Sequence, residues 1–409
     1  MATPRLITTL AKRSIFRNTR RTLLTILLIS CSLIAILFTD AFTRGLLETM
    51  IKLSTQTFMG EAQIHQKGFR EANDVDIYIK RPYNIYNTLS QLEEVTAFSP
   101  RTISGAMISS SENVSAVAIY GIEATKESQV SKLKSTIIHG EYLSGGETEI
   151  LIGSELADLL EVDLGDRLVV TVSQAHGGDL SQSLYRVSGI FSFNERAMDT
   201  GVAFVNLAQG QTMLNIAGVH EIALRLKSVD HADDTALPLW SQLNTENLET
   251  LNWRQLTPQL DAMLSMSGYS TMVVAIIMYI LVALGLINTM FMSIYERHTE
   301  FGILLAIGTK PKQLFYQIVM EGFFIGSISV FLGVVLGRII GAIGSKVGID
   351  YSEMEVNGVS LNEPIYLIVD NLTMAHLSLS ILLITVISCV YPAFHAAKLT
   401  PSMAMRKTL

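Results

Sequence analysis

Four long apolar stretches leave this chain one broad choice of architecture. Residues 23–44, 269–294, 317–343 and 374–391 are each long and apolar enough to cross a hydrocarbon core of about 30 Å as a helix. In lipid only helices and closed barrels satisfy every backbone polar group, and runs of this length are helical. Charged residues make up 16% of the 409-residue chain, well below the roughly 25% of soluble domains. Residues 45–268, between the first and second runs, are polar enough and long enough to fold as a domain with its own core. The expected architecture is therefore an α-helical membrane protein with four transmembrane helices in a one-plus-three arrangement. A large α+β extracytoplasmic domain is inserted between the first and second spans.

Lys and Arg in short flanks set the orientation, because cytoplasmic flanks retain positive charge. Arg5, Lys12, Arg13, Arg17, Arg20 and Arg21 precede the first span without one acidic residue. This places the N-terminus in the cytoplasm. Four crossings return residues 392–409 to the same side, where Lys398, Arg406 and Lys407 agree. The loop 344–373 sets Lys346 against Asp350, Glu353, Glu355, Glu363 and Asp370, as an outside loop can. The first run reads as a span rather than a cleaved signal, since no small-residue cleavage pattern follows it and three more spans come later. Cys31 and Cys389 both lie in apolar runs, so no disulfide is expected.

In the inserted domain, period-2 or β-branched patterns predict strands at "EAQIHQ", "DVDIYI", "VSAVAIYGI", "EILIG", "RLVVTV", "LYRVSGIFSF", "VAFVNL" and "EIALRL". Helices are predicted at "SELADLLEV", "LAQGQTMLNI" and "ALPLWSQLNTENL". The string "LSGGE" at 143–147 matches the signature loop of ABC-type ATPases. It lies outside, however, and the chain has no G-x-x-x-x-G-K-[ST] loop to cradle phosphates. It therefore reads as a turn ahead of a strand. His176, Asp179 and Ser181 fall on one Gly-rich turn that cannot fix a nucleophile against a base. The histidines also lack metal-site spacing, and a membrane-anchored enzyme is disfavoured.

Residues 295–316 are predicted to form a cytoplasmic loop that opens with charges, continues as a short amphipathic helix at "EFGILLAIG" and breaks at Gly308 and Pro311. Such a helix suits docking into a groove of a cytoplasmic partner, or simply reverses the chain between spans. An ionisable group in hydrocarbon costs at least ~2.5 kcal/mol by insertion scales, so Glu321 is predicted to face the bundle and support this helix. Gly322, Gly326, Gly333, Gly337 and Gly341 recur at G-x-x-x-G spacing and allow close helix packing. Asp40 and Arg44 read as an i, i+4 pair, and Arg338 as a snorkelling side chain.

Glu296, Arg297, Glu300, Phe301, Gly302, Ala306, Ile307 and Gly308 form a pattern that resembles the signature of MacB/FtsX-type permeases, subunits of type VII ABC transporters. The C-terminal "YPAFHAAKLTPSMAMR" is similar to that family's closing motif, with His395 and Met405 where Arg and Leu are usual. Residues 1–22 resemble its amphipathic lead-in helix, and "HGEYLSGGETEILIGSELADLLEVDLGDRLVV" resembles the lipoprotein-releasing, LolC/LolE-like branch. The resemblance implies a non-catalytic subunit of the bacterial inner membrane, with both termini cytoplasmic and its large domain periplasmic. It implies that a separate LolD/MacB-type ATPase, which binds the ATP and Mg, grips 295–316 through Glu296, Arg297, Glu300, Phe301, Gly302, Ala306 and Gly308. A second permease copy or a related permease completes the dimer, and lipoproteins or other lipidic cargo are moved at the outer leaflet. Two alternatives stay open: a scaffold that activates a peptidoglycan hydrolase, and a drug or peptide exporter with a periplasmic partner.

The charge asymmetry generates a test. A single cysteine at position 303, in a Cys-free background, is expected to react with a membrane-impermeant maleimide only after the inner face is opened. Labelling in intact spheroplasts would reverse the topology.

Overall fold

The computed structural model describes residues 18–232, 237–350, 355–356, 359–360 and 364–398. The lead-in segment 1–17, most of the acidic loop around 351–363 and the tail residues Pro401, Ala404, Met405 and Arg406 lie outside the described residues. The chain divides into two compact units, a helical one (1–47, 264–350 and 365–409) and the inserted domain (48–263 with 351–364).

The helices used below are α1 (Thr19–Ser54), α2 (Ala124–Val130), α3 (Ser154–Leu160), α4 (Leu207–Leu214), α5 (Pro258–Glu296), α6 (His298–Ala306), α7 (Pro311–Val347) and α8 (Asn371–Ala397), with shorter helices between them. Four of them, α1, α5, α7 and α8, are long and apolar enough to cross a membrane. The helices α1 and α5 overrun the 23–44 and 269–294 spans by many residues. Local chemistry sets their ends. Pro311 occupies the first turn of α7, where a missing N–H costs nothing, and Gly348 ends it at φ +69°. The Asp370 carboxylate accepts from the Leu372 and Thr373 amides and caps α8.

Helix α7 runs through the middle of this unit, and its glycines set how closely its neighbours approach. A Cβ built on Gly326 would lie 2.9 Å from Thr385 Cγ2, and one on Gly322 would lie 2.1 Å from Cys389 Sγ, both on α8. On Gly333 and Gly337 it would meet Leu33 and Leu37 of α1, each at 2.9 Å, and on Gly341 it would meet Val369 at 2.5 Å. The buried Ser30 hydroxyl donates to the Ser329 carbonyl across the α1–α7 contact. Ile29, Leu33, Ile36, Val282, Leu286, Ile325 and Ile381 fill the core between the helices. Arg44 pairs with Asp40 at 3.0 Å and also reaches Thr373, while Arg338 donates to Asn371.

Among the described residues, segment 48–263 of the inserted domain holds ten strands: β1 (Ala62–Gln66), β2 (Val95–Ser109), β3 (Val114–Ile122), β4 (Ile137–Gly140), β5 (Glu149–Gly153), β6 (Arg167–Ser173), β7 (Leu180–Phe191), β8 (Val202–Asn206), β9 (Glu221–Leu226) and β10 (Leu248–Asn252). Strands β2, β3, β8, β5, β7 and β6 pair in a closed ring around Ile108, Ile119, Ile152, Val170, Tyr185 and Val205. The first half of β2 instead pairs with β9, which continues to β1 and β10. One bent strand thus serves two lobes. Pro100 falls where β9 pairs on one side and β3 has not yet begun, so its missing N–H breaks no ladder.

The sequence pattern misses β2, β4 and β10. "DVDIYI" is no strand: it makes only the bridge Ile79↔Val219 before a helix starts at Pro82. The end of "ALPLWSQLNTENL" turns into β10. "LSGGE" is a turn, in which the Glu149 carboxylate accepts from the Ser144 and Gly146 amides and the Ser144 hydroxyl. His176 faces Asp76 at 3.3 Å on the β6–β7 turn.

At the bend of β2 lies a fully buried ion cluster. Arg101 grips Glu127 of α2 with Nε at 2.9 Å and Nη2 at 2.7 Å, and donates through Nη1 to Glu221 of β9 at 2.6 Å. Its Nη2 also donates to the Phe58 carbonyl at 2.6 Å, with the guanidinium 3.8 Å over the Phe58 ring. Phe58 belongs to the π-helical turn Thr55–Met59 that extends α1. Burial opposes the Arg101 charge, but the two carboxylates outweigh it and the group stays cationic. Removing one partner of a buried pair costs about 3–5 kcal/mol, because the remaining charge is stranded. Arg101→Met is therefore expected to lower the unfolding temperature of the purified chain sharply, and the triple variant with Glu127→Gln and Glu221→Gln is expected to recover much of it. Calorimetry in nanodiscs checks both; equal losses would reject the electrostatic origin.

Candidate coupling site

The loop between α5 and α7 builds a hairpin from local rules. Helix α5 stops at Glu296 because Arg297 leaves helical geometry at φ −105°, ψ 14°. Helix α6 follows for nine residues and closes when Gly308 turns left-handed at φ +102°, a conformation that favours glycine. The Thr309 amide returns to the Leu304 carbonyl, and Lys310 N–H donates to the Gln313 side chain before α7 starts.

Packing fixes which face of α6 is free. Phe301 is 1% exposed and packs with Ile294 of α5, Leu314 and Ile318 of α7, and Ala393 and Ala396 of α8. Gly302 is buried beside it. On the opposite face Ile303 is 47% and Ile307 80% exposed, with Glu300 and Ala306 also open to solvent. Two exposed isoleucines at i, i+4 form an apolar stripe rather than a solvated face.

Charge ties the hairpin down. Arg297 donates to Glu321 of α7 at 3.2 Å, lies 3.6 Å from Glu300, and stacks 4.8 Å over the Phe301 ring. Both Arg297 and Glu321 are largely buried. Glu296 accepts from Arg21 at 2.8 Å and from Asn18 at 3.1 Å, while Arg21 also reaches Ser293. Of the sequence-derived residues, Arg297, Glu300, Phe301 and Glu321 thus form one cluster. Glu296 forms a second contact to α1, and Ala306 and Gly308 stay at the surface. The contact of Arg21 with Glu296 and the exposed face of Ile303 were not expected from the sequence, although Arg21 was visible as a basic flank and Ile303 lies four residues before Ile307 of the signature pattern. His395, on the C-terminal end of α8, stacks edge-on against Phe291 at 5.5 Å. Among the described residues no three His, Cys, Asp or Glu side chains could hold a metal ion.

Residues 22–236, more than half of the chain, match the family described as "MacB-like periplasmic core domain". Residues 272–401 match "FtsX-like permease C-terminal". The chain belongs to the MacB/FtsX-type permeases. It is 29% identical to the lipoprotein-releasing system transmembrane protein LolC of Xylella fastidiosa over 301 residues, covering 70% of this chain and 72% of that one. It is 23% identical to LolE of Haemophilus influenzae over 345 residues, 79% and 80% of the two chains. The periplasmic region of MacB from Actinobacillus actinomycetemcomitans superposes on 49% of this chain and 92% of that one, with a TM-score of 0.35 at 14% identity. In this permease family a large extracytoplasmic domain follows the first span, as β1–β10 do here.

Glu321→Leu is expected to strand Arg297 and raise hydrogen exchange of the α6 amides at least tenfold, roughly 1.4 kcal/mol. Lys52→Ala, which removes an exposed pair with Glu48, is expected to leave exchange in α6 unchanged, because such pairs contribute little. Equal protection of α6 in wild type and Glu321→Leu would show that the pair does not hold the hairpin.

Proposed function

We propose that this permease subunit passes ATP-driven motion from a separate cytoplasmic ATPase to its extracytoplasmic domain, and so extracts lipoproteins or related lipidic cargo from the outer leaflet of the inner membrane. The observation that carries the reading is α6: an apolar stripe of Ile303 and Ile307 held out by a buried Arg297–Glu321 pair. A short amphipathic helix fixed to two spans transmits a push that a flexible loop would absorb. In this reading the α6 side is cytoplasmic, which agrees with the basic residues ahead of α1. Glu296, Arg297, Glu300, Phe301, Gly302, Ala306 and Gly308 shape the docking helix, and ATP and Mg are bound by the partner. The cargo class rests on the relatives named as lipoprotein-releasing LolC and LolE proteins. A second permease, identical or related, completes the assembly.

The test is purification of the tagged chain in mild detergent with its bound partners. An ATPase subunit is expected to accompany the wild type. Ile303→Asp with Ile307→Asp is expected to lose it. Glu321→Ala is expected to keep it while cargo-stimulated hydrolysis falls about tenfold or more. Nucleotide turnover by the isolated chain, or retention of the ATPase by the double aspartate variant, would overturn the coupling model.

A further inference from the structure

The inserted domain holds a cleft of about 580 Å³ where the end of β9 meets the start of β2, the last residues of α2 and the π-helical turn Thr55–Met59. Its lining is mostly polar: Gln56, Thr96 and Gln129 surround Glu61 on the floor and Arg225 and Lys227 at the rim. The volume lies within the range of small-molecule sites. A polar guest is called for.

Local strand geometry builds the site. The pairing of β2 with β9 shifts register between Val95 and Ala97, so Thr96 is an extra residue that bulges into the cleft. Strand β1 pairs with β9 only from Ala62 opposite Leu224, which leaves the Leu226 amide beyond the reach of its backbone. The Glu61 carboxylate accepts that amide instead, and Glu61 is only 6% exposed. One amide occupies one of the roughly four acceptor positions of a carboxylate. Burial pushes the Glu61 carboxyl above the usual carboxylate range, and the Leu226 amide, Arg225 and His231 offset this only in part. The floor therefore has acceptor capacity to spare for a cationic donor.

The rim asks for the opposite charge. Arg225 Nη1 donates to the Gln129 carbonyl at 3.1 Å, which holds the guanidinium beside the cleft. The Lys227 amide donates to the Glu94 carbonyl at 3.0 Å and carries the pairing past the end of β9. Arg225 and Lys227 thus lie two residues apart on one exposed face, about 7 Å from each other, with the buried Leu226 between them. A simple anion at this rim would meet Glu61, and a simple cation on the floor would have to pass both basic groups. Two cations around one anion are the complement of a molecule with one ammonium and two carboxylates.

We infer that this cleft binds an acidic amino acid, with its ammonium on Glu61 and its carboxylates on Arg225 and Lys227. The planar fork of Arg225 suits a carboxylate bidentately, and Lys227 adds a second, flexible point charge. The volume leaves room beyond one residue, so the ligand is either the free amino acid or the first residue of a short peptide. The inference does not depend on what docks at α6.

Isothermal titration of the full-length chain in phosphatidylcholine nanodiscs with L-glutamate and with the tripeptide Glu-Gly-Gly tests this. Saturable binding of at least one probe is expected. Acetylation of the bound probe's ammonium is expected to weaken it at least tenfold. Glu61→Gln, which keeps an oxygen for the Leu226 amide, is expected to weaken the unmodified probe to the same degree. Arg225→Gln with Lys227→Gln, both at exposed positions, is expected to do so from the rim and serves if Glu61→Gln fails to fold. Glutamate binding at least as tightly as the tripeptide would identify the free amino acid as the ligand, and tighter binding of the tripeptide would identify a peptide N-terminus. No saturable binding of either probe, equal binding of the acetylated probe, or binding unchanged in both variants would refute the assignment.

Discussion

The helical unit depends on how closely α7 approaches its neighbours. Lipid tails solvate leucine as well as protein does, so helices in a membrane gain little from apolar burial and must gain from dispersion and backbone contact. Gly322 and Gly326 bring α7 onto α8, where an added Cβ would meet Cys389 and Thr385, and Gly333 and Gly337 face Leu33 and Leu37 of α1, whose side-chain ends would have to shift for a Cβ. The α6 end uses the α7–α8 part of that packing. Phe301 finds its pocket because α7 and α8 are close enough to wall it, and Glu321 reaches Arg297 because α7 is held in a fixed rotation.

Ionic contacts then act as locks on a frame that packing has built. A buried carboxylate without a partner would not be tolerated in a span, so Glu321 and Arg297 select one position of the α6 hairpin. The inserted domain uses the same device in a different solvent. Arg101 sits at the bend of β2, the strand that both lobes share, and joins α2, β9 and the π-helical end of α1. In both places a single guanidinium is the centre of the contact: Arg101 reaches Glu127, Glu221 and the Phe58 carbonyl, and Arg297 reaches Glu321, Glu300 and the Phe301 ring.

Much of this was legible in the sequence, for physical reasons that differ by region. The spans were readable because a hydrocarbon core imposes a length and a composition. Strands such as Val114–Ile122 and Glu149–Gly153 were readable because β-branched runs have few alternatives. Strand β2 was hidden by Pro100, Gly105 and its serines, which are tolerated only because its pairing changes sides at the bend. The segment "DVDIYI" alternates like a strand but finds only a single bridge at Ile79, a tertiary fact that no local pattern contains. At the coupling site, the need for a partner to Glu321 was visible in its apolar setting, but its identity as Arg297 depended on where the turn falls. The Arg21–Glu296 contact joins residues far apart in sequence and left no local trace.

The lengths of α1 and α5 carry the last step. At 1.5 Å per residue the 36 residues of α1 and 39 of α5 extend about 54 and 58 Å, well past a hydrocarbon core of about 30 Å. Each helix therefore continues out of lipid without a break in its hydrogen-bond ladder. Helix α1 is also tied at both ends: Arg21 near its start binds Glu296, and the Phe58 carbonyl beyond its finish binds Arg101. Each contact thus holds its own end of α1 within the unit to which that end belongs.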